Sequence, residues 1–339
     1  MSFQLRREST GELLLLDDTN VLGAGGEATV YSVPNDRSLA AKVYLKPSND
    51  RAQKLLVMPA SPPAETSPGA PNPQIAWPQD LLWTTGRKSQ IAGFLMPRIE
   101  GMAPIIDIYS PHARLMSRPW FDYRLLLKTF ISLSGAVEMP HQAGYVIGDL
   151  NHSNIFVADD ARVTLIDADS FQVRDPNGGA VFLCPVYTPA FTAPELHHQG
   201  LIKTERSLEQ DDFGLGVLAF LMLMGGLHPF SGVQLGQGEA PPLFSGSPRG
   251  ISLIRGRGAP WSPRHPLLCH SRHYTQVSRT CSTAVSRTGT MNRICALIPP
   301  SGVKLCWKLS RIWQFARPTR SINMPVIKRL VPGVYGLGS

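Results

Sequence analysis

Apolar runs separated by turn residues fill the first part of the chain. Between residues 11 and 45, Val30, Tyr31, Val33, Val43 and Tyr44 carry the β-branched and aromatic bias of strands, and three strands are predicted there. A short helix, Asp50 to Met58, follows. Residues 59–78 (PASPPAETSPGAPNPQIAWP) then hold too many prolines for a helix or a central strand and read as a surface loop. IAGFLMPRIEG reads as a buried strand running into a connector. From Phe121 to Met139 the period changes to helical, with Leu125, Leu126, Phe130, Leu133 and Val137 on one face, and Pro140 is expected to stop that helix from continuing smoothly. Phe213 to Phe230 is the longest apolar stretch. Gly216, Gly225, Gly226 and His228 interrupt it, so it reads as a buried helix followed by a turn rather than a membrane span. Strands first and helices after predict an α+β chain, an antiparallel sheet joined to a helical second half.

The 43% hydrophobic content over 339 residues suits one two-lobed globular domain. The opening MSFQLRRESTGE has basic residues but no apolar segment behind them, which argues for a cytoplasmic protein. Charge divides the chain further. The formal net charge of +8 combines 18 Lys+Arg against 25 Asp+Glu in residues 1–239 with 15 against none in residues 240–339. That tail also holds Cys269, Cys281, Cys295 and Cys306, with no C-x-x-C pair to suggest zinc.

Candidate chemistry sits at the ends of the apolar runs. Gly23, Gly25 and Gly26 lie between two strand-like runs, where a backbone without Cβ atoms can approach phosphate oxygens, although an ordinary hairpin turn reads the same way. Lys42 stands alone in the apolar run Ala40-Ala41-Lys42-Val43, twelve residues after Val30. A buried ammonium is costly unless an anion meets it. Asp149, Asn151 and Asn154 precede the strand-like Ile155 to Val157, and Leu165-Ile166-Asp167-Ala168-Asp169 ends a second run. Carboxylates and an amide at strand ends are poor structural choices but natural ligands for hard Mg²⁺.

In letters and spacing these residues resemble the protein kinases. Asp149 and Asn154 stand at the catalytic-loop positions of H-R-D-x-x-x-x-N, Asp167 at the D-F-G aspartate, and Tyr187 to Glu195 resembles the stretch through A-P-E. Motifs such as GDLNHSNI and LIDADSFQ are similar to a divergent bacterial group, over roughly residues 15–235. The resemblance implies a two-lobed fold: a segment 1–14, a sheet lobe 15–100, a helical lobe 101–240 and a basic tail 241–339. It implies ATP and Mg²⁺ as cofactors and a protein substrate phosphorylated on Ser or Thr. Asp149, Lys42, Asn151 and Thr188 would be catalytic, with Thr188 touching Asp149. Gly23, Gly25, Gly26, Val30, Lys42 and Met96 would contact the nucleotide, and Asn154 and Asp167 the metal. Asp211 would hold the catalytic-loop backbone, and Glu195 would want a buried arginine partner.

The sequence departs from the pattern at Ala28 (third glycine), Ile147-Gly148 (His-Arg), Asn151 (lysine) and Asp-Ala-Asp (Asp-Phe-Gly), and Gln53 stands where a helix glutamate is expected to meet Lys42. Loss of the His-Arg arginine removes the usual partner for a phosphate on the activation segment. These departures keep a second reading open, a pseudokinase that binds nucleotide without transfer. The acid-free tail has three readings: a basic tail for anionic surfaces, a diverged helical lobe, and translation out of frame. A one-nucleotide shift across Arg293 to Leu309 permits an Arg-Pro before an amphipathic helix, where a partner for Glu195 belongs. Nucleic-acid binding is disfavoured because the tail lacks regular aromatic interleaving.

Overall fold

A computed structural model describes residues 2–63, 73–176, 179–193, 196–197 and 200–229. Glu195 and the whole basic tail lie outside the described residues. Seven strands form the first sheet: β1 (Phe3–Arg7), β2 (Leu13–Leu16), β3 (Val21–Ala24), β4 (Ala28–Val33), β5 (Asp36–Tyr44), β6 (Asp80–Thr84) and β7 (Ile91–Pro97), in the order β2-β1-β6-β7-β5-β4-β3. Every neighbouring pair is antiparallel. Residues 11–45 thus hold four strands rather than the expected three. The extra break is local: Asp17 accepts from Thr19 N (2.8 Å) while its own N–H donates to the Asn20 side chain (3.1 Å), closing a turn between β2 and β3. The sheet also starts well before residue 15, because Arg7 of β1 pairs with the buried Asp80 of β6 (2.6 Å).

Strand periodicity divides the sheet into two faces. Leu39 and Ala41 of β5 and Leu95 of β7 join Leu5, Leu14 and Leu16 in a separate apolar cluster. The opposite face carries Ala28, Tyr44 and Phe94, which pack with Leu55 and Met58 into the main core. Lys42 is on this second face, directly across from Val30 on β4 and Phe94 on β7. The helix α1 (Asn49–Val57), capped by Ser48, lies under it.

The second half holds α2 (Ile105–Tyr109), α3 (Pro111–Ser117), α4 (Tyr123–Gln142) and α5 (Leu208–Leu223). With them are a small sheet ordered β10-β9-β8, from β8 (Ala103–Pro104), β9 (Ile155–Val157) and β10 (Val163–Leu165), and a ribbon of β11 (Val173–Arg174) and β12 (Val181–Phe182). Pro140 does not stop α4 where the sequence suggested. It lies in the last turn, where the amide it lacks would have bonded only Ala136, and the helix closes through Ala143 N to Met139 O (3.3 Å). α5 is buried on nearly every side from Gly214 to Met222 and ends at Gly225 and Gly226, both at positive φ (63° and 85°). Among the described residues no helix is long and apolar enough to cross a membrane.

The two halves are clamped behind the sheet. Ile75 bridges to Leu165 in parallel, Trp77 donates to Met58 O (2.8 Å) and stacks on Tyr145, and the Tyr145 hydroxyl donates to Ser61 O (2.8 Å). The C-terminal end of α1 is therefore pinned to both halves.

Candidate active site

The loop of residues 147–154 hangs from one buried carboxylate. Asp211, 1% exposed at the start of α5, accepts from Ile147 N and Gly148 N (2.7 Å each) and is also bonded to His141 Nε2 of α4 (2.8 Å). These are the backbone contacts that the resemblance implied for Asp211. Gly148 bends the loop at φ 76°, and a Cβ there would meet Cys184 Cβ at 2.8 Å and Arg206 Nη1 at 3.0 Å. Only glycine fits both the angle and the space.

Beyond that bend, Asp149 is buried and its Oδ1 has no hydrogen-bond partner among the described residues. Its backbone carbonyl accepts from Asn151 Nδ2 (3.0 Å) and Asn154 Nδ2 (3.4 Å). Asn151 is 3% exposed, and its other amide atom accepts from Ser153 N (2.8 Å). Both ends of that amide are engaged within the loop, so Asn151 shapes it and does not face outward as a catalytic group would. Thr188 is half-buried; its carbonyl accepts from Phe191 N (2.9 Å) and from Thr192 Oγ1 (3.0 Å). Among the described residues no hydrogen bond joins its hydroxyl to Asp149.

The β9–β10 hairpin brings the next two groups together. Ile155 pairs with Leu165, and Ile166 N donates to Asn154 O (2.9 Å), so Asn154 and Asp167 share the open end of the hairpin. Asp167 is left-handed (φ 64°, ψ 33°), an uncommon conformation for a residue with a Cβ and a mark of a constrained site. Its carboxylate pairs with Lys42 Nζ, 125 residues away in sequence. Lys42 reaches a second carboxylate too, Asp169 Oδ1 at 2.6 Å, while Tyr44 donates to Asp169 Oδ2 at 2.7 Å.

Burial by itself would lower the Lys42 pKa, but Asp169 and then Asp167 outweigh it and hold the ammonium above its ordinary value. Burial would likewise raise the Asp169 carboxyl, and Lys42 with Tyr44 brings it below the usual range. Gly25 N donates to Ala28 O (2.9 Å) to close the glycine turn, and Gly23 and Gly26 have open space where a Cβ would stand. Val30 lies opposite Lys42, and Met96 opposite Ala40 on the same sheet face. A cavity lined by His141, Gln172, Arg174 and Glu205 shares no lining residue with this cluster.

No protein-family model matches the chain. Protein kinase YegI of Escherichia coli K12 is 38% identical over 229 residues, 67% of this chain and 34% of that relative. The matched part of the chain belongs to a bacterial protein-kinase-like family. The chain spans about a third of the length of the YegI relatives it matches, 34% and 32%. Human ribosomal protein S6 kinase alpha-4 is 37% identical over 119 residues, 33% of this chain and 15% of that relative. Among solved structures, the ROP18 kinase domain in complex with AMP-PNP and sucrose matches at TM-score 0.48 and 18% identity, covering 75% of this chain and 80% of that one. ROP2 from Toxoplasma gondii, described as having a protein-kinase fold and no enzymatic activity, matches at 0.48 and 17%, covering 68% and 69%. Scores at this level leave the fold assignment to the strand order and the sequence kinship.

Two features of this kinase-like domain were not read from its sequence. Gln53 is exposed on α1 and does not meet Lys42; the buried residue beside it is Lys54. Lys54 stands four residues before the fully buried Met58, a helical spacing that could have placed it on the inner face. The second is Arg206, 5% exposed. It donates to Gly148 O (2.6 Å) and Cys184 O (3.2 Å), filling the space beside the glycine that replaces the familiar loop arginine.

Proposed function

We propose that the chain transfers the γ-phosphoryl group of ATP, with Mg²⁺, to serine or threonine hydroxyls of a protein substrate. The observation that carries this reading is the meeting of Lys42 with Asp167 across the two halves of the fold. Lys42 holds the α- and β-phosphates in this reading, and the glycine turn with Gly23, Gly25 and Gly26 lets the backbone close over them. Val30 and Met96 line the nucleotide's place on the same face. Asn154 and Asp167 fit a hard cation: both are oxygen donors at one hairpin end, and Asn154 commits its amide nitrogen, not its oxygen, to the Asp149 carbonyl. Asn154 and Asp167 would hold Mg²⁺ there, and the ion would supply positive charge against the phosphates.

The substrate hydroxyl oxygen bonds to the γ-phosphorus as the bond to the β–γ bridging oxygen breaks, and ADP leaves with that electron pair. The hydroxyl proton passes to Asp149, whose Oδ1 is shielded from solvent and unengaged. Asn151 and Asn154 hold the Asp149 carbonyl and so aim its carboxylate.

Transfer of labelled γ-phosphate to a generic protein substrate, compared between the native chain and Asp149→Asn, tests this. Rate loss of about 10²–10⁴-fold with nucleotide affinity retained is expected. A pseudokinase is the second reading, favoured by Lys54 on the helix face where a carboxylate would be expected. Nucleotide binding without any Asp149-dependent transfer would establish it instead.

A further inference from the structure

The helix that runs under Lys42 offers it no carboxylate. On α1, Asp50 and Gln53 are exposed, and the charged side chain turned inward is Lys54, 6% exposed with an Nζ that has no hydrogen-bond partner among the described residues. Burial holds this ammonium's pKa below its ordinary value, and the carboxylates of Asp169 and Asp167 pull against that shift. Its neighbours Leu55 and Met58 pack with Tyr44 and Phe94, on the sheet face that carries Lys42, so the inward side of α1 brings a second buried lysine to that face.

The carboxylate that Lys42 does have comes from the loop after β10. Asp169 is enclosed, its side chain 10% exposed, and both its oxygens are engaged by β5, one by Lys42 and the other by Tyr44 two residues along. Asp167 differs: its side chain is 34% exposed, and the one hydrogen-bonding partner of its carboxylate among the described residues is Lys42. The two aspartates are thus unequal. Asp167 is placed to exchange Lys42 for another cation, whereas Asp169 is built into the sheet.

We propose that Asp169 is the positioning carboxylate of Lys42, replacing the helix glutamate, and that Lys54 is a second cation of the site, holding Asp169 when Lys42 turns to the nucleotide phosphates. This rests on the reading of Lys42 as the phosphate-binding lysine. A buried ammonium without a partner is costly, and the nearest remedy is an anion already in the cluster. An ammonium has three N–H donors, so Lys42 can keep Asp169, release Asp167 and donate to a phosphate oxygen. As Lys42 shares itself in this way, Asp169 loses part of its one ion pair among the described residues, and the buried Lys54 is a cation with no hydrogen-bond partner among them. Positioning of the phosphate lysine is thereby tied to the metal loop, two residues from Asp167, and not to a carboxylate on α1.

The test uses the full chain and a fluorescent ATP analogue with Mg²⁺. Asp169→Asn should weaken binding by about 10-fold or more, and adding Lys54→Glu, which returns a carboxylate to the helix, should restore at least part of that loss. Lys54→Gln should weaken binding severalfold without lowering the melting temperature, a combination that a purely structural lysine would not give. Binding by Asp169→Asn within about twofold of native, or a double variant no better than the single one, overturns the proposal. If Asp169→Asn fails to melt cooperatively, Lys54→Gln decides: unchanged affinity overturns it. Failure of the native chain to bind the analogue overturns the reading of Lys42 and this proposal together, whereas native binding with unchanged variants overturns the proposal alone.

Discussion

Charged residues in apolar surroundings are the sharpest signals in this chain, and the two lysines of the site show how such a signal is seen or lost. Lys42 is legible because a strand alternates with period two and a cation in Ala-Ala-Lys-Val has nowhere neutral to go. Lys54 is harder to see, since a helix lysine usually reaches water along its own stem, and only its spacing to Met58 turns it inward. Asp169 was legible as a letter and not as a partner, because nothing local says that β5 will supply Lys42 and Tyr44 to it. Burial pushes the Lys54 pKa down to about 8 from 10.5. The unfolded chain therefore binds more protons than the folded one between those values, and stability rises with pH across that window. Lys54→Met should remove this rise. The stability difference between native and variant, from denaturant melts at pH 7.5 and 10.5 (values chosen to bracket about 8 and 10.5), should shift toward the native chain by up to roughly 3 kcal/mol. Lys42 does not mask it: its pKa is raised, so its stabilising contribution is intact below 10.5 and is lost only above.

At the scale of elements, the sequence reading succeeded where period and caps are local and fell short where a tertiary bond decides. The strands β5, β7 and β9 and the helices α1 and α4 were readable from apolar spacing. The break between β2 and β3 depends on one Asp17–Asn20 turn, and the last turn of α4 on the fact that its proline costs only a bond near the helix end. The loop of residues 147–154 is the clearest case of tertiary control. Its glycine looked like a lost arginine, yet Arg206 arrives from 58 residues downstream to bond the carbonyl of that same glycine. An internal guanidinium thus joins Gly148 to Cys184 without any phosphate. Gly148→Ala should accordingly be severe. The added methyl meets the Cys184 side chain at 2.8 Å in a backbone conformation that disfavours any Cβ. A loss of about 2–4 kcal/mol is expected from strain and overpacking together, measured by denaturant melts, whereas Gly101→Ala, also at positive φ but with open space around it, should lose only about 1 kcal/mol.

For the whole molecule, the antiparallel sheet and helical half were legible from the order of patterns, and the pairing of Lys42 with Asp167 and Asp169 was not, because it joins groups 125 and 127 residues apart. That pairing and the Trp77–Tyr145 clamp are two separate ties between the halves, so they predict different responses to loss of the lysine. Lys42→Met leaves the clamp and both sheet faces intact but strands the enclosed Asp169 with Tyr44 and the uncommitted Lys54. Removing one partner of a buried ion pair costs about 3–5 kcal/mol, and the presence of Lys54 should keep the loss at the lower end. The native chain should gain about 2.7 kcal/mol from Mg²⁺-ATP at a hundred times its dissociation constant, by linkage. Lys42→Met should lose that gain at the same nucleotide concentration, and thermal melts with and without Mg²⁺-ATP separate the two effects. A variant that is destabilised yet still gains the full nucleotide increment would show that Lys42 serves the junction between the halves and not the phosphates.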